Sequence, residues 1–335
     1  MRLGKRLAIA VLAALAALAA GAVSAGCSAA PGLAYAAGAA HPSADRSAST
    51  APDGTGPTVA ATPVSGTPAG TVLTVAGAPK GVKARAGLLV DVTTGQVLWA
   101  QEARAVRPIA SITKVMTALV ILRAGGLDRE IVVPKAVTAY VAKNDADAAG
   151  LVPGQVLTVD QLLHAMLITS AADAAYTLAA AYGPGLPAFI GKMNAEAAKL
   201  GLTHTHFTSP DGLPYPSETS TYSTATELIR LGEIAMSYAE FRSIVRLRYY
   251  NIPRGPGHKA YSFTNSNELI GRYRGVIGIK TGFTDAAGHT LIFEAVRGDR
   301  ALIGVVLGSP PTGPGAGAVD AAKVLDWGFA LRQAG

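Results

Sequence analysis

The chain has 335 residues, 50% of them hydrophobic, and its 29 Lys and Arg outnumber 22 Asp and Glu for a net charge of +7. That is enough apolar matter for the core of one large domain or two modest ones. The basic residues form no stripe interleaved with aromatics, which argues against a nucleic-acid partner, and the single cysteine excludes an intramolecular disulfide.

The N-terminus, MRLGKRLAIAVLAALAALAAGAVSAGC, has a basic start, an apolar run from Leu7 and small residues after it. This reads as an export signal over residues 1–36, cleaved after Ala36 or, alternatively, after Ala25. SAGC ending at Cys27 also fits a lipid-attachment box with the signal ending at Gly26, although Ser24 stands where an aliphatic residue is usual. An uncleaved anchor is the third arrangement, because the apolar run is nearly long enough to span a bilayer. In each case, membrane contact is made through this segment alone, and the protein is expected in the cell envelope outside the cytoplasm, secreted or anchored. Residues 37–83 are poor in large apolar side chains and rich in Pro, Gly, Ser, Thr and Ala. They read as a disordered linker to a folded domain over 84–335.

That domain opens with AGLLVDVTTGQVLWA, two apolar runs around Thr93-Thr94-Gly95, a hairpin signature. Ser111 to Arg123 is apolar nearly all round and predicts a central buried helix. A loop-rich stretch follows as far as Gly154. Thr158-Val159-Asp160-Gln161 is a capping box, so a helix starts there and ends near Ser170, and a second runs from about Asp173 to Tyr182. GVIGIKTGFT, HTLIFEAV and ALIGVVLGS read as strands. Arg297-Gly298-Asp299-Arg300 between the last two is a hairpin turn rather than an adhesion motif. AVDAAKVLDWGFALR closes the domain as a helix on the sheet. Strands first, helices in the middle and strands last predict one α/β domain whose sheet joins its N- and C-terminal segments.

Ser111 and Lys114 sit three residues apart on one helix face, within hydrogen-bond reach. If that face lines a partly buried cleft, desolvation disfavours the ammonium, and a neutral lysine can take the serine proton. Alone, the pair also fits a cap serine with a snorkelling lysine. Lys280-Thr281-Gly282 at a strand end can bind a carboxylate, with Gly282 allowing a substrate backbone to approach. Alone, it also fits a strand end with a turn glycine. Ser170 supplies a further hydroxyl between the two motifs.

Together, RPIASITKVMTALV, AGLVPGQVLTVDQLLHAMLITSAADAAYTLA, THFTSPDGL and GVIGIKTGFTDAAGHTLI resemble, in order, the D-alanyl-D-alanine carboxypeptidase family of low-molecular-mass penicillin-binding proteins. The resemblance covers about Ala84 to Phe329. It implies a β-lactamase/DD-peptidase-like fold, an antiparallel sheet flanked by helices with an inserted, mostly helical region. It implies Ser111 as nucleophile, Lys114 as its base, and Ser170 passing a proton to the leaving D-alanine. Lys280 and Thr281 would hold the terminal carboxylate, and the N–H groups of Ser111 and Phe283 would form the oxyanion hole. Gly282 completes that substrate-binding set. The implied partners are peptidoglycan stem peptides and covalently bound β-lactams, with no metal, no organic cofactor and a monomeric enzyme.

One position departs from the pattern: Ser170-Ala171-Ala172 has a methyl where the family carries an asparagine amide. A weakened, wall-binding homologue is therefore one alternative. A β-lactamase is another, but its Glu-x-x-Leu-Asn loop is missing, since Glu218 is followed by Thr-Ser-Thr. Asp173 reads as a helix cap, His164 as a core or groove-lining residue, and Asp145 and Asp147 as a solvated loop. His204, His206, His258 and His289 lack metal-ligand spacing with carboxylates. Arg242, Arg246, Arg248, Arg254 and Lys259 form a basic segment that suits either a cleft rim or a solvated face.

Overall fold

The computed structural model describes residues 77–331, apart from 312 and 314; the expected signal, Cys27 and most of the expected linker lie outside the described residues. β1 (Ala86–Asp91) and β2 (Gln96–Gln101) form the expected hairpin. Asp91 fixes its turn, accepting from the Thr93 and Thr94 N–H groups at 3.1 and 3.3 Å while pairing with Arg300 at 2.8 Å. After the short β3 (Arg107–Pro108), a 3₁₀ turn at Ala110–Ile112 leads into α1 (Thr113–Ala124). The buried helix expected from Ser111 thus begins two residues later, with Ser111 in the turn that enters it.

The stretch expected as loop to Gly154 contains β4 (Glu130–Val132) and α2 (Ala136–Asn144). α2 buries Val137 alone among its nine residues, so it has no apolar stripe by which a helix is read from sequence. β5 (Val156–Thr158) pairs with β4, and Thr158 then caps α3 (Val159–Ile168) through the predicted reciprocal bonds with Gln161. α4 (Ala172–Tyr182) follows after three residues, with Ser170 at the junction. The helical region continues through α5 (Leu186–Lys199), β6 (Tyr222–Ser223, paired with β3), α6 (Ala225–Ser237) and α7 (Ala239–Val245). β7 (Tyr249–Ile252) and β8 (Tyr261–Thr264) form a separate hairpin.

The three predicted C-terminal strands are β9 (Val276–Thr284), β10 (Gly288–Arg297) and β11 (Arg300–Ser309), followed by α8 (Ala316–Ala330). The five-stranded antiparallel sheet runs β2-β1-β11-β10-β9, so the N-terminal hairpin docks on the last strand as expected. Arg297 pairs with Arg300 across Gly298-Asp299, which makes that segment a two-residue hairpin turn. Alternation along the strands separates two cores. Leu89, Phe293, Leu302 and Val306 pack with Val324 and Leu325 of α8, whereas Leu88, Ile292, Ile303 and Val305 face α1, α3 and α6. Within the segment expected as linker, the Lys83 N–H donates to Asp320 at 3.0 Å and Gly81 accepts from Lys323 at 2.6 Å, both on α8.

Glu294 of β10 lies on the helical side, where burial pushes its carboxyl up to about 7; Arg242 opposes the rise and Glu233 adds to it. A carboxyl raised on folding keeps its proton in the native state while the unfolded chain releases it above about 4.5. Native stability therefore falls as pH rises from there to about 7. Glu294→Gln is expected to raise the unfolding free energy at pH 8 by roughly 2 kcal/mol and to leave it unchanged at pH 4, as read by urea titration.

Candidate active site

The 3₁₀ turn places Ser111, half-buried, at the start of α1, and one helical turn on brings Lys114 back to it: Nζ donates to Ser111 Oγ at 2.9 Å. The second partner of that ammonium is the main-chain oxygen of Asp211, at 2.8 Å. Lys114 is 2% exposed, and burial lowers its pKa to about 8, with the charges of Asp211, Asp147 and Asp173 holding it from falling further. A neutral fraction of about a tenth at pH 7, rising to about half near pH 8, makes it a competent base for the hydroxyl it touches.

β9 runs beside this turn. Lys280 is 1% exposed, and burial first and the charge of Lys114 second lower its pKa well below the usual value. Its Nζ donates to the Thr281 carbonyl at 2.9 Å. Thr281 Oγ1 meets Ser266 Oγ at 2.8 Å, and the Ser266 N–H donates to Ile168 O at 2.9 Å. Ser266 therefore ties the lysine-bearing strand to the end of α3, two residues before Ser170. The sequence pattern gave no warning of this residue, which lies in an irregular segment after β8.

Gly282 has a role beyond the one expected of it. A β-carbon there would lie 2.9 Å from the Ser111 nitrogen and 2.6 Å from Thr290 Oγ1, so the strand's own backbone presses against the Ser111 turn. Thr290, buried in β10, completes the lock by donating to Gly282 O at 3.1 Å and approaching Ile109 O at 3.3 Å. Phe283 is 47% exposed, its ring against His289 with centroids 4.6 Å apart.

Two non-glycine residues in the site have left-handed backbone, Ala110 at φ 47° and Ser170 at φ 67°. Each costs of order 1 kcal/mol and directs a serine region away from the regular path of the chain. Ser170 is 9% exposed at the α3–α4 junction. The junction is held from the far side by the loop after α2, because the Ala172 N–H donates to Asp147 O at 2.8 Å.

Asp173 is not the expected cap. The N-cap of α4 is Ala171; the Asp173 carboxylate, one position inside the helix, accepts from the first-turn N–H of Ala174 at 2.8 Å and also from the Ala149 and Leu151 N–H groups at 3.0 and 2.9 Å, strapping that loop to α4. Asp147 is exposed, as a loop residue should be, yet its charge acts on both buried lysines. His164 stacks on Tyr250 at 3.8 Å and bonds to Asp160 O, a packed position on α3. All of the basic segment, Arg242, Arg246, Arg248, Arg254 and Lys259, is exposed.

Gly282→Ala is expected to push β9 off the Ser111 turn, costing about 2 kcal/mol as overpacking and lowering Tm by about 5 °C in a thermal melt.

A half-buried serine bonded to a buried lysine, a second buried lysine on an adjacent strand and a hydroxyl at a helix junction agree with the comparisons to known proteins. The family model for D-alanyl-D-alanine carboxypeptidase matches residues 73–311. A D-alanyl-D-alanine carboxypeptidase from a Streptomyces strain is 37% identical over 262 residues, covering 75% of this chain and 88% of its own. The carboxypeptidase DacB2 of Mycobacterium tuberculosis is also 37% identical, over 74% of this chain and 83% of its own. Among solved structures, a Streptomyces DD-transpeptidase superposes with a TM-score of 0.71 at 36% identity, covering 76% of this chain and all of that one. The architecture is thus the penicillin-binding, β-lactamase-like fold of the DD-peptidases, and the chain belongs to the D-alanyl-D-alanine carboxypeptidase family.

Proposed function

We propose that the protein is an exported serine DD-carboxypeptidase that removes the terminal D-alanine of peptidoglycan stem pentapeptides through an acyl-enzyme on Ser111. The observation that carries this reading is the 2.9 Å bond from Lys114 to Ser111 Oγ at a lysine whose burial frees it of its proton near pH 8. Neutral Lys114 takes the hydroxyl proton as Oγ attacks the carbonyl between the two D-alanines. The N–H groups of Ser111 and Phe283 receive the negative charge that develops on the carbonyl oxygen. The C–N bond then breaks, Ser170 relays a proton to the departing amine, and water hydrolyses the ester. Lys280 and Thr281 hold the substrate carboxylate, whose charge offsets the burial and repulsion that disfavour the Lys280 ammonium. A β-lactam acylates the same hydroxyl and stalls there. Export rests on the N-terminal signal-like segment.

A second reading, a wall-binding homologue with weakened chemistry, is favoured by Ala172, which is 2% exposed and brings no polar group to the cleft. Loss of one amide contact in the transition state would cost one to two decades in rate, roughly 1–3 kcal/mol. Against abolished chemistry stands the Ser111–Lys114 bond, which forms without that amide.

Intact-mass spectrometry after incubation with penicillin should show one added ligand in the unmodified domain and none in Ser111→Ala, and D-alanine release from a pentapeptide should be lost in the same variant. An adduct retained in Ser111→Ala would remove this residue from the mechanism. Ala172→Asn is expected to raise D-alanine release about tenfold or more. An unchanged rate would show that the alanine does not limit turnover.

A further inference from the structure

The support beneath Lys114 contains a carboxylate that the proposed chemistry does not use. Asp211 is fully buried in the loop between α5 and β6. Its main-chain oxygen takes one ammonium hydrogen of Lys114, yet neither side-chain oxygen bonds to Nζ among the described residues. One oxygen instead accepts from the Tyr140 hydroxyl at 2.8 Å, and the other from the Leu213 N–H at 3.1 Å. The loop itself is rigid: the Gly212 N–H donates to Ser209 Oγ, and Thr117 of α1 donates to Pro210 O. A β-carbon at Gly212 would lie 1.9 Å from Ala110 O, so the loop is pressed directly onto the nucleophile's turn.

Tyr140 comes from α2, its ring 4.6 Å from that of Tyr176 on α4 and forming one wall of a cavity of about 300 Å³ with Leu186, Ile190 and Pro210. Its hydroxyl proton is held tightly: burial first and the Asp211 charge second raise its pKa far above the usual value. It is therefore a permanent donor to Asp211.

The arrangement separates two tasks that conflict. A carboxylate paired directly with the Lys114 ammonium would keep it protonated and useless as a base. With no anion nearby, burial would leave it neutral but too weakly basic to take a serine proton. We propose that Asp211 and Tyr140 are a positioning pair for Lys114, in which the carboxylate supplies a nearby negative charge and the tyrosine hydroxyl holds it off the ammonium. The pair rests on the reading of Lys114 as the base of Ser111. The other charges facing Lys114 are Asp147 from the loop after α2, Asp173 from α4 and Lys280 from β9. Only Asp211 also bonds to Lys114 through its main chain.

The test is the proton affinity of Lys114, read in two ways on the same samples: the pH midpoint of penicillin acylation, and the NMR titration of Lys114 in protein carrying carbon-labelled lysine. Asp211→Asn keeps the main-chain acceptor and the side-chain shape while removing the charge. It is expected to lower both midpoints by about one pH unit. Unchanged midpoints in folded Asp211→Asn would overturn the proposal. If that variant does not fold, Tyr140→Phe decides: with the hydroxyl gone the carboxylate is free to turn to the ammonium, and the midpoint should rise. A midpoint that stays in place or falls in Tyr140→Phe contradicts the pair. The NMR titration separates this question from the functional reading, because it reports on Lys114 even if the unmodified protein takes up no penicillin.

Discussion

Two ammonium groups taken almost wholly out of water, Lys114 and Lys280, are the constraint on which the rest of the site depends. Each would be costly in an apolar core as an isolated charge, and the protein lowers that cost by letting the protons leave more easily and by aiming main-chain oxygens at the amines. Their mutual repulsion favours the state in which they do not both carry charge. In the proposed mechanism, that state prepares one lysine to accept a proton from serine and the other to welcome an anionic substrate end.

Holding two buried amines at fixed distances demands backbone packed without slack. The five-stranded sheet provides one rigid wall, and its last strand lies so close to the Ser111 turn that position 282 has no room for a side chain. The loop carrying Asp211 closes on the same turn from the other side, with equally little room at Gly212. Between these, Ala110 and Ser170 are held in backbone conformations that side chains rarely adopt, so the surrounding packing supplies what local preference opposes. Asp173 contributes by strapping the Asp147 loop to the first turn of α4, where it also accepts from the Ala174 N–H.

The parts legible in sequence were those with a strong local signature. The Thr158 capping box, the hairpin around Thr93–Gly95 and the three C-terminal strands each declare themselves by spacing or turn chemistry, and their pairing into one sheet follows from their order. The Ser111–Lys114 contact was legible because three residues on a helical path set the distance. α2 was not, because its packing relies on Val137 and aromatic contacts instead of a stripe. Ser266, Thr290, Tyr140 and Asp211 act across long sequence separations, and no local pattern reports a hydrogen bond between residues 71 positions apart. Asp211 lay inside a segment already marked by family resemblance, yet its side chain's task emerges only when Tyr140 is seen to hold it.

The most direct test of the account is the rate of penicillin acylation of the unmodified protein as a function of pH. If Lys114 works as the buried base, the rate rises with pH as its proton is lost and reaches half its plateau near pH 8, the value to which burial lowers this lysine. A rate that stays flat between about pH 6 and pH 10, across the range where Lys114 should titrate, would contradict the central claim that burial of this lysine is what arms the serine.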